Sequence, residues 1–432
     1  MRGHASGRGL RVLHPSLRAS RANGVASQLG QIACDPRPSV LGSARRTEYL
    51  LATQSAEMTR KSIASWRNIA AVDLFCGVGG TTHGFIMAGI PVRAGVDVDP
   101  SCEFAYTANN RGAKFYCRDV EDLNPREIKE WYPEDAARVL IGCAPCQPFS
   151  KYTFRYGGAS TEASSARDER WGLLATFGEL VDVVRPEIVT VENVPQLALQ
   201  KHKVYERFVK KLRSLGYFVN AQILKCADYG VPQSRERLVV LASRLGEVQM
   251  IPPTHAPGNY VSVRDQIGHL PPIFAGGPPP ADDPLHRSCG LSPLNLARIR
   301  ATPPNGGWQD WPESLRLACH KRDSGKTYPS VYGRIGWDGL APTITTQCYG
   351  LGNGRFGHPE QHRAISLREA ALLQTFPSNY QFVAVGEEVR YNRIGKHIGN
   401  AVPVALGKAI AQSIKRHLKQ VALPAGGIRS AR

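Results

Sequence analysis

The sequence predicts an α/β fold carrying a second, loop-rich domain, and three observations lead there. Short apolar runs that read as buried strands alternate with amphipathic helical stretches between about residues 69 and 241. The first of these units is a strand, a glycine turn, a helix and a second strand tipped by an acid, the form of a nucleoside-binding crevice in an open sheet. Near residue 250 the composition changes: from Pro252 to Pro304 prolines and glycines are dense, as in Pro278-Pro279-Pro280, and no helical pattern lasts.

At 432 residues the chain can bury a full core and divide into domains. Hydrophobic content of 42% is ordinary, and no apolar run approaches the ~18 residues that span a membrane, so a soluble protein is expected. Ten unpatterned cysteines in so long a chain suit a reducing compartment rather than a disulfide framework. A net charge of +18 favours a polyanionic partner, because basic side chains that neutralise phosphates release counterions. Part of that charge belongs to residues 1–65, which are rich in Arg, Ser and Gly, hold only Asp35, Glu48 and Glu57 as acids and read as disordered. An Arg-rich, acid-poor leader also resembles a transit peptide, but a start at Met58, followed by Thr59-Arg60-Lys61 and then the first strand, is the preferred reading. An intact mass that included residues 1–57 would refute it.

Ile69 to Phe75 is the first strand, Cys76-Gly77-Val78-Gly79-Gly80 the turn, and Thr81 to Gly89 the helix. Glycines there let backbone approach a ligand at a helix N-terminus. Thr82 stands where the third glycine of a G-x-G-x-x-G dinucleotide fingerprint would fall, so that fingerprint is excluded. Val92 to Val96 form the second strand, ending at Asp97, which can accept from ribose hydroxyls. Asp119 follows an expected third strand, Lys114 to Arg118; on residue type alone a surface acid or helix cap is the plainer reading.

Val139-Leu140-Ile141 is the next strand, and Gly142-Cys143-Ala144-Pro145-Cys146-Gln147-Pro148-Phe149-Ser150 follows, its prolines stopping the strand at the sheet's ligand end. Cys143-x-x-Cys146 could be half a zinc site, a redox pair or two buried thiols. Zinc needs a second pair, and the other eight cysteines are scattered singly, so no metal is expected. A nucleophilic Cys146 remains, in need of partners elsewhere. Residues 151–170, with a Ser/Thr-rich run, suit a lid or a plain surface loop. Leu173 to Val184 is a helix ended by Pro186. Ile188 to Val191 is a strand ending in Glu192, a carboxylate facing the same crevice that could serve as a general acid, or be merely a solvated strand end.

Lys203 to Leu215 is an amphipathic helix and Val219 to Leu224 a strand. Arg235 and Arg237 open the strand Leu238 to Leu241 on one face, where two inward charges need anionic or carbonyl partners. From 251 to about 360 an irregular or β domain is expected. Its Trp308, Trp311, Tyr328, Tyr332, Trp337 and Tyr349, interleaved with Arg316, Lys321, Arg322, Lys326, Arg334 and Arg355, suit equally a nucleic-acid face or a small core with a solvated rim. Ser366 and Glu369 make a capping box for a helix, and Gly399-Asn400-Ala401-Val402-Pro403 precedes a last helix to about Val421.

Taken in order, Asp73-Leu74-Phe75-x-Gly77-x-Gly79-Gly80, Pro145-Cys146-Gln147-Pro148-Phe149-Ser150, Glu192-Asn193-Val194, Gln233-x-Arg235-x-Arg237, Arg368-Glu369-x-Ala371-x-x-Gln374-x-Phe376-Pro377 and Gly399-Asn400-Ala401-Val402 resemble the DNA (cytosine-5) methyltransferase family, of the prokaryotic modification-enzyme type. The resemblance runs from about Ala70 to Gly407, omitting most of 250–340. It implies a Rossmann-like S-adenosylmethionine-dependent methyltransferase fold in residues 66–250, a target-recognition domain in 251–360, C-terminal helices in 361–422 that complete the catalytic domain, and a tail in 423–432.

By this resemblance Cys146 adds to C6 of a flipped cytosine, Glu192 protonates N3, Arg237 holds O2 and Arg235 supports the site. Phe75, Gly77, Gly80, Pro145 and Val402 line S-adenosylmethionine, Asp97 takes its ribose, Asp119 its adenine amino group and Asn400 its methionine end. The family commonly has Glu where this chain has Asp97. Gln147, Ser150, Thr345 and Thr346 contact DNA, the last two within the segment Ala341 to Thr346 that resembles the close of the recognition domain. The implied partner is double-stranded DNA, with no membrane, acted on by a monomer in the bacterial cytoplasm and nucleoid; a cognate restriction endonuclease would be a functional partner. Two alternatives share the architecture: a tRNA cytosine-5 methyltransferase, and a catalytically silent DNA-binding relative.

Overall fold

The computed structural model describes residues 68–145, 161–199, 203–322 and 330–422. The readings made for residues 1–67, including the start at Met58, for Cys146, Gln147 and Ser150, for the first half of the lid segment, for Lys326 and Tyr328, and for the tail fall outside the described residues.

Seven strands form one sheet: β1 (Asn68–Leu74), β2 (Val92–Asp97), β3 (Lys114–Cys117), β4 (Ala136–Gly142), β5 (Ile188–Asn193), β6 (Phe218–Lys225) and β7 (Glu236–Ser243). Their spatial order is β3-β2-β1-β4-β5-β7-β6. The first five run parallel, whereas β7 pairs antiparallel with both β5 and β6. That reversal has a functional consequence. It sets the start of β7 beside the end of β5, with Glu192 opposite Val239 and Asn193 opposite Leu238, so residues just ahead of β7 reach the ligand end of the sheet.

The strands read as near-continuous apolar runs because both faces are covered, and all six residues of β5 are buried. Alternation divides their side chains between two cores. Ala71, Val139, Ile141 and Ile188 join one core with the C-terminal part of the chain; Val72, Leu140, Val189 and Val191 join the other with Phe177, Val181 and Leu212. On the first face lie α1 (Gly80–Met87) and the last helix, α11 (Val404–Ala422). A Cβ on Gly84 would stand 2.5 Å from the Val404 carbonyl oxygen, so these two helices meet backbone to backbone. The other elements are α2 (Glu103–Asn109), α3 (Pro125–Glu130), α4 (Thr161–Val184), α5 (Gln196–Leu199), α6 (Val204–Ser214), α7 (Val263–Ile267), α8 (Pro293–Ala301), α9 (Leu367–Leu373) and α10 (Tyr391–Asn400). None of the described helices is long and apolar enough to cross a membrane.

One expectation needs correction, and two readings are completed by the structure. Helix α4 begins at Thr161, not Leu173, so the second half of the lid segment is helical; its Glu, Ala and Arg residues are good helix formers that the lack of apolar periodicity concealed. Helix α10 was not foreseen, because its two glycines and mixed polarity hide an amphipathic face that buries Ile394, His397 and Ile398. The region after 250 has no β character beyond isolated bridges among its described residues, such as Arg334 with Gly357. Its aromatics take the second of the two readings: Trp308 and Trp311 are buried, Trp308 stacks on His320 at 4.2 Å, and Arg298 covers Trp311 and Tyr332. Trp308, Trp311 and Tyr332 thus form a small core with His320 rather than a presented face. The capping box of Ser366 and Glu369 is present at the start of α9.

Candidate active site

The turn after β1 is shaped by backbone conformations that few residues accept. Phe75 has φ 66° and Gly79 φ 87°, both left-handed, and a non-glycine residue there marks stored strain of the kind found at functional sites. Gly80 answers to a close approach instead. A Cβ on it would meet the Val402 carbonyl oxygen at 2.3 Å, so Val402 closes on the turn. Asp97 ties the turn down from β2: its Oδ2 accepts from the Gly77 amide at 2.8 Å and its Oδ1 from the Asp99 amide at 2.9 Å. Burial raises its carboxyl above the usual range. Asp119 accepts from the Glu121 amide at 2.9 Å, capping the short turn after β3 while also facing the cavity.

At the end of β4, Cys143 is held by its amide to the Leu74 carbonyl and by a thiol contact of 3.7 Å with Thr81. Burial, reinforced by Asp73 and Glu192, pushes its thiol well above the ordinary range, which makes it a poor nucleophile. Asn193 Nδ2 donates to the Ala144 carbonyl at 3.1 Å and so pins the start of the Pro145 turn to β5. Glu192 and Arg237 face one another, with Nε to Oε1 at 2.9 Å, as an ion pair without the alignment of a hydrogen bond. Arg235, 3% exposed, instead donates to the carbonyls of Ile344 and Ala401 at 3.1 and 3.4 Å.

One cavity of about 600 Å³ collects these groups. Phe75, Gly77, Gly80, Asp97, Asp119, Pro145, Glu192, Arg235, Arg237, Asn400 and Val402 all line it. Thr345 and Thr346 do not. Thr345 is exposed and their shared peptide packs on Gly399, where a Cβ would come within 2.3 Å, which puts them next to the Asn400 turn but outside the cavity. Lining residues that the sequence reading missed include Thr81, Val98, Asp99, Leu173, Lys396 and His397. Asp99 and Lys396 were the more accessible of these, since an acid two residues past Asp97 carries its own signal. Burial opposes its ionisation, but the bonds from Lys396 and Ser101 outweigh it and hold the carboxyl at about 2. Asp99, Cys102 and His397 bring potential ligand atoms within 4.8 Å of one another. The Lys396 ammonium, 2.8 Å from Asp99, opposes a cation there.

Residues 69–416 match the family model described as C-5 cytosine-specific DNA methylase. The chain belongs to this family. It is 49% identical over 351 residues to the Type II methylase M.HgiDII of Herpetosiphon aurantiacus, covering 81% of this chain and 96% of that one. It is 30% identical to the Type II methyltransferase M1.HphI of Haemophilus parahaemolyticus, covering 80% and 87%. Among solved structures, a DNA modification methyltransferase encoded within an E. coli prophage shares the fold, with a TM-score of 0.61, 21% identity, and coverage of 82% and 100%. Membership makes the protein an enzyme, a DNA (cytosine-5) methyltransferase with a Rossmann-like sheet, in a family that takes its methyl group from S-adenosylmethionine.

Proposed function

We propose that the cavity binds S-adenosylmethionine beside a cytosine flipped out of duplex DNA, and that Cys146 attacks the base. The observation that carries this reading is the convergence of the Asp97 turn, the Asn400 turn and the Glu192–Arg237 pair on one space. A volume of about 600 Å³ lies within the ~300–1,000 Å³ of small-molecule sites and suits the cofactor. Asp97 keeps a further lone pair on each oxygen for ribose hydroxyls, Phe75 and Val98 offer apolar surface to the adenine, and Asp119 offers an acceptor to its amino group. S-adenosylmethionine, when bound, supplies an electrophilic methyl group.

The chain's own residues do the rest. Cytosine C5 is a weak nucleophile until the Cys146 thiolate adds to C6 and turns the ring into an enamine. Glu192 delivers the proton that relieves charge at N3, Arg237 shifts from the carboxylate toward O2, and Arg235, fastened to the Ile344 and Ala401 carbonyls, supports the site. Once C5 carries the methyl group, water takes the C5 proton, the C6–S bond breaks to release the Cys146 thiolate, and the N3 proton returns to Glu192. Pro145, Gln147 and Ser150 belong to the segment that closes over the base. Residues 251–360 act as the target-recognition domain and 361–422 complete the catalytic domain, with Thr345 and Thr346 on the DNA side. The enzyme acts as a monomer on duplex DNA in the bacterial cytoplasm and nucleoid, paired in function with a restriction endonuclease.

Labelled methyl transfer to duplex DNA and to tRNA, followed by bisulfite sequencing of the DNA, tests this reading. Label in one DNA sequence context supports it; label in tRNA alone, or in neither, overturns it. Exchanging residues 251–345 for the equivalent stretch of a relative with another target should move the modified site, and retention of the old site would remove specificity from that stretch.

A further inference from the structure

Two glutamines stand in the motifs that identify the family, yet neither lines the cavity. Gln233 and Gln374 are both fully buried, and they face each other: Gln233 Nε2 donates to Gln374 Oε1 at 2.8 Å. Each amide is otherwise committed. Gln233 Nε2 also donates to the Leu373 carbonyl at 2.7 Å, while its Oε1 accepts from the Ile344 amide at 2.9 Å. Gln374 Nε2 donates to the carbonyls of Ile398 at 2.7 Å and Ala401 at 3.1 Å. The partners fix both amide orientations, because flipping either would set oxygen against oxygen or nitrogen against an N–H.

The resulting line of bonds runs from Ile344, through Gln233 and Gln374, to the residues that bracket Asn400. At one end is the segment Ala341 to Thr346, which bridges to Gln233 and presents Thr345 at the surface. At the other is the turn whose Asn400 and Val402 line the cavity. Arg235 spans the same two ends, and Gly399 packs directly on the Thr345 peptide. Buried amides have no water to turn to, so displacing one end leaves polar groups orphaned along the line. The two ends are therefore held to one joint arrangement.

We propose that the Gln233–Gln374 pair couples cofactor binding to DNA binding: ordering of the 398–402 turn by the cofactor sets the position of the 341–346 segment that meets DNA. Both are positioning residues. This inference rests on the cofactor and DNA assignments proposed above. Coupling of this kind is reciprocal and appears as a change in affinity at one site when the other is filled.

The test measures the affinity of the full-length protein for its target duplex with and without saturating S-adenosylhomocysteine, and the affinity for S-adenosylhomocysteine alone. The unaltered enzyme should bind DNA more tightly with the cofactor product present, by a factor in the usual range of about 5–150. Gln374→Leu and Gln233→Leu should each bring that factor toward unity while DNA affinity without the product changes little. The double variant should lose no more than either single one, since both cut the same line. If Gln374→Leu does not fold, Gln374→Glu keeps the acceptor for Gln233 and loses the amide donor to Ile398 and Ala401. An unaltered coupling factor in variants that fold, or a factor of unity in the parent, overturns the inference. Failure of the parent to bind S-adenosylhomocysteine at all overturns the functional reading instead.

Discussion

The sheet and the loop-rich region after residue 250 solve the same problem, satisfying buried backbone, by opposite means. In the sheet, strands pair with strands and the side chains are free to be apolar, as in β5. In the loops, side chains stand in for strands. Arg334, 3% exposed, donates to the carbonyls of Thr302, His358, Gln361 and Ile299 at 2.7–2.9 Å. Arg363 is bidentate to Glu369 at 2.7 Å on both arms and also holds the Ala364 carbonyl. Regular pairing constrains strand position tightly, whereas a guanidinium can fasten loops of many courses. If residues 251–360 read the target, as proposed, this suits a scaffold for fixed chemistry beside a surface that differs between targets.

Buried carboxylates make the contrast quantitative. Burial without a cationic partner pushes Asp73, on β1, up to about 7, although Thr82 donates to it at 2.7 Å. Burial would raise Glu369 too, but Arg363 outweighs it and holds that carboxyl at about 2.

The largest effect is expected at the ion pair between Arg363, just past the loop-rich region, and Glu369 in the first turn of α9. Glu369→Gln leaves the Arg363 guanidinium buried without its counter-charge and should cost about 3–5 kcal/mol in denaturant unfolding at neutral pH. The native contribution of Glu369 is full above its unfolded value of 4.5 and is lost as pH falls through about 2. A neutral substitution with no loss of stability would show that the arginine, not the pair, does the fastening.

In the sheet the sign reverses. Asp73 binds its proton more tightly folded than unfolded, so its contribution is full below 3.8 and is lost as pH rises through about 7. Asp73→Asn should therefore gain on the parent between pH 4 and pH 8, with an upper bound of about 4 kcal/mol at ~1.36 kcal/mol per pH unit. Unfolding curves at the two pH values check it, and a gain that does not grow with pH contradicts it.

A smaller effect separates ligand binding from stability. Asp97→Ala should weaken S-adenosylmethionine binding by roughly 1–3 kcal/mol, because the Gly77 amide and the ribose hydroxyls lose their acceptor. Unchanged calorimetric affinity would remove Asp97 from the cofactor site.

The two regions also differ in how far they could be read from sequence. Strands such as Val139-Leu140-Ile141 announce themselves by apolar runs between turn residues, and the acid of Asp97 falls at a strand tip that the pattern marks. The lining residues that could be named from sequence each sit at the end of such a strand or in a motif with its own spacing. What could not be read depends on contacts far apart in the chain. Trp308 and Trp311 next to arginines look alike on a DNA face and in a small core, and only the Arg298 and His320 contacts decide. Gly80 reads as room for a ligand, yet Val402 fills that room from more than 300 residues away. His397 lines the cavity from a helix whose pattern gave no warning.

On the proposed mechanism Cys146 attacks the cytosine and Cys143 is structural. Duplex DNA carrying 5-fluorocytosine at the target measures this directly. Attack at C6 and methylation at C5 proceed, but fluorine cannot leave as a cation, so the enzyme stays covalently bound. The parent and Cys143→Ser should run as a shifted, denaturation-resistant band in the presence of S-adenosylmethionine. Cys146→Ser should not, because a serine hydroxyl is barely ionised near neutral pH. An adduct retained in Cys146→Ser and lost in Cys143→Ser would contradict the account.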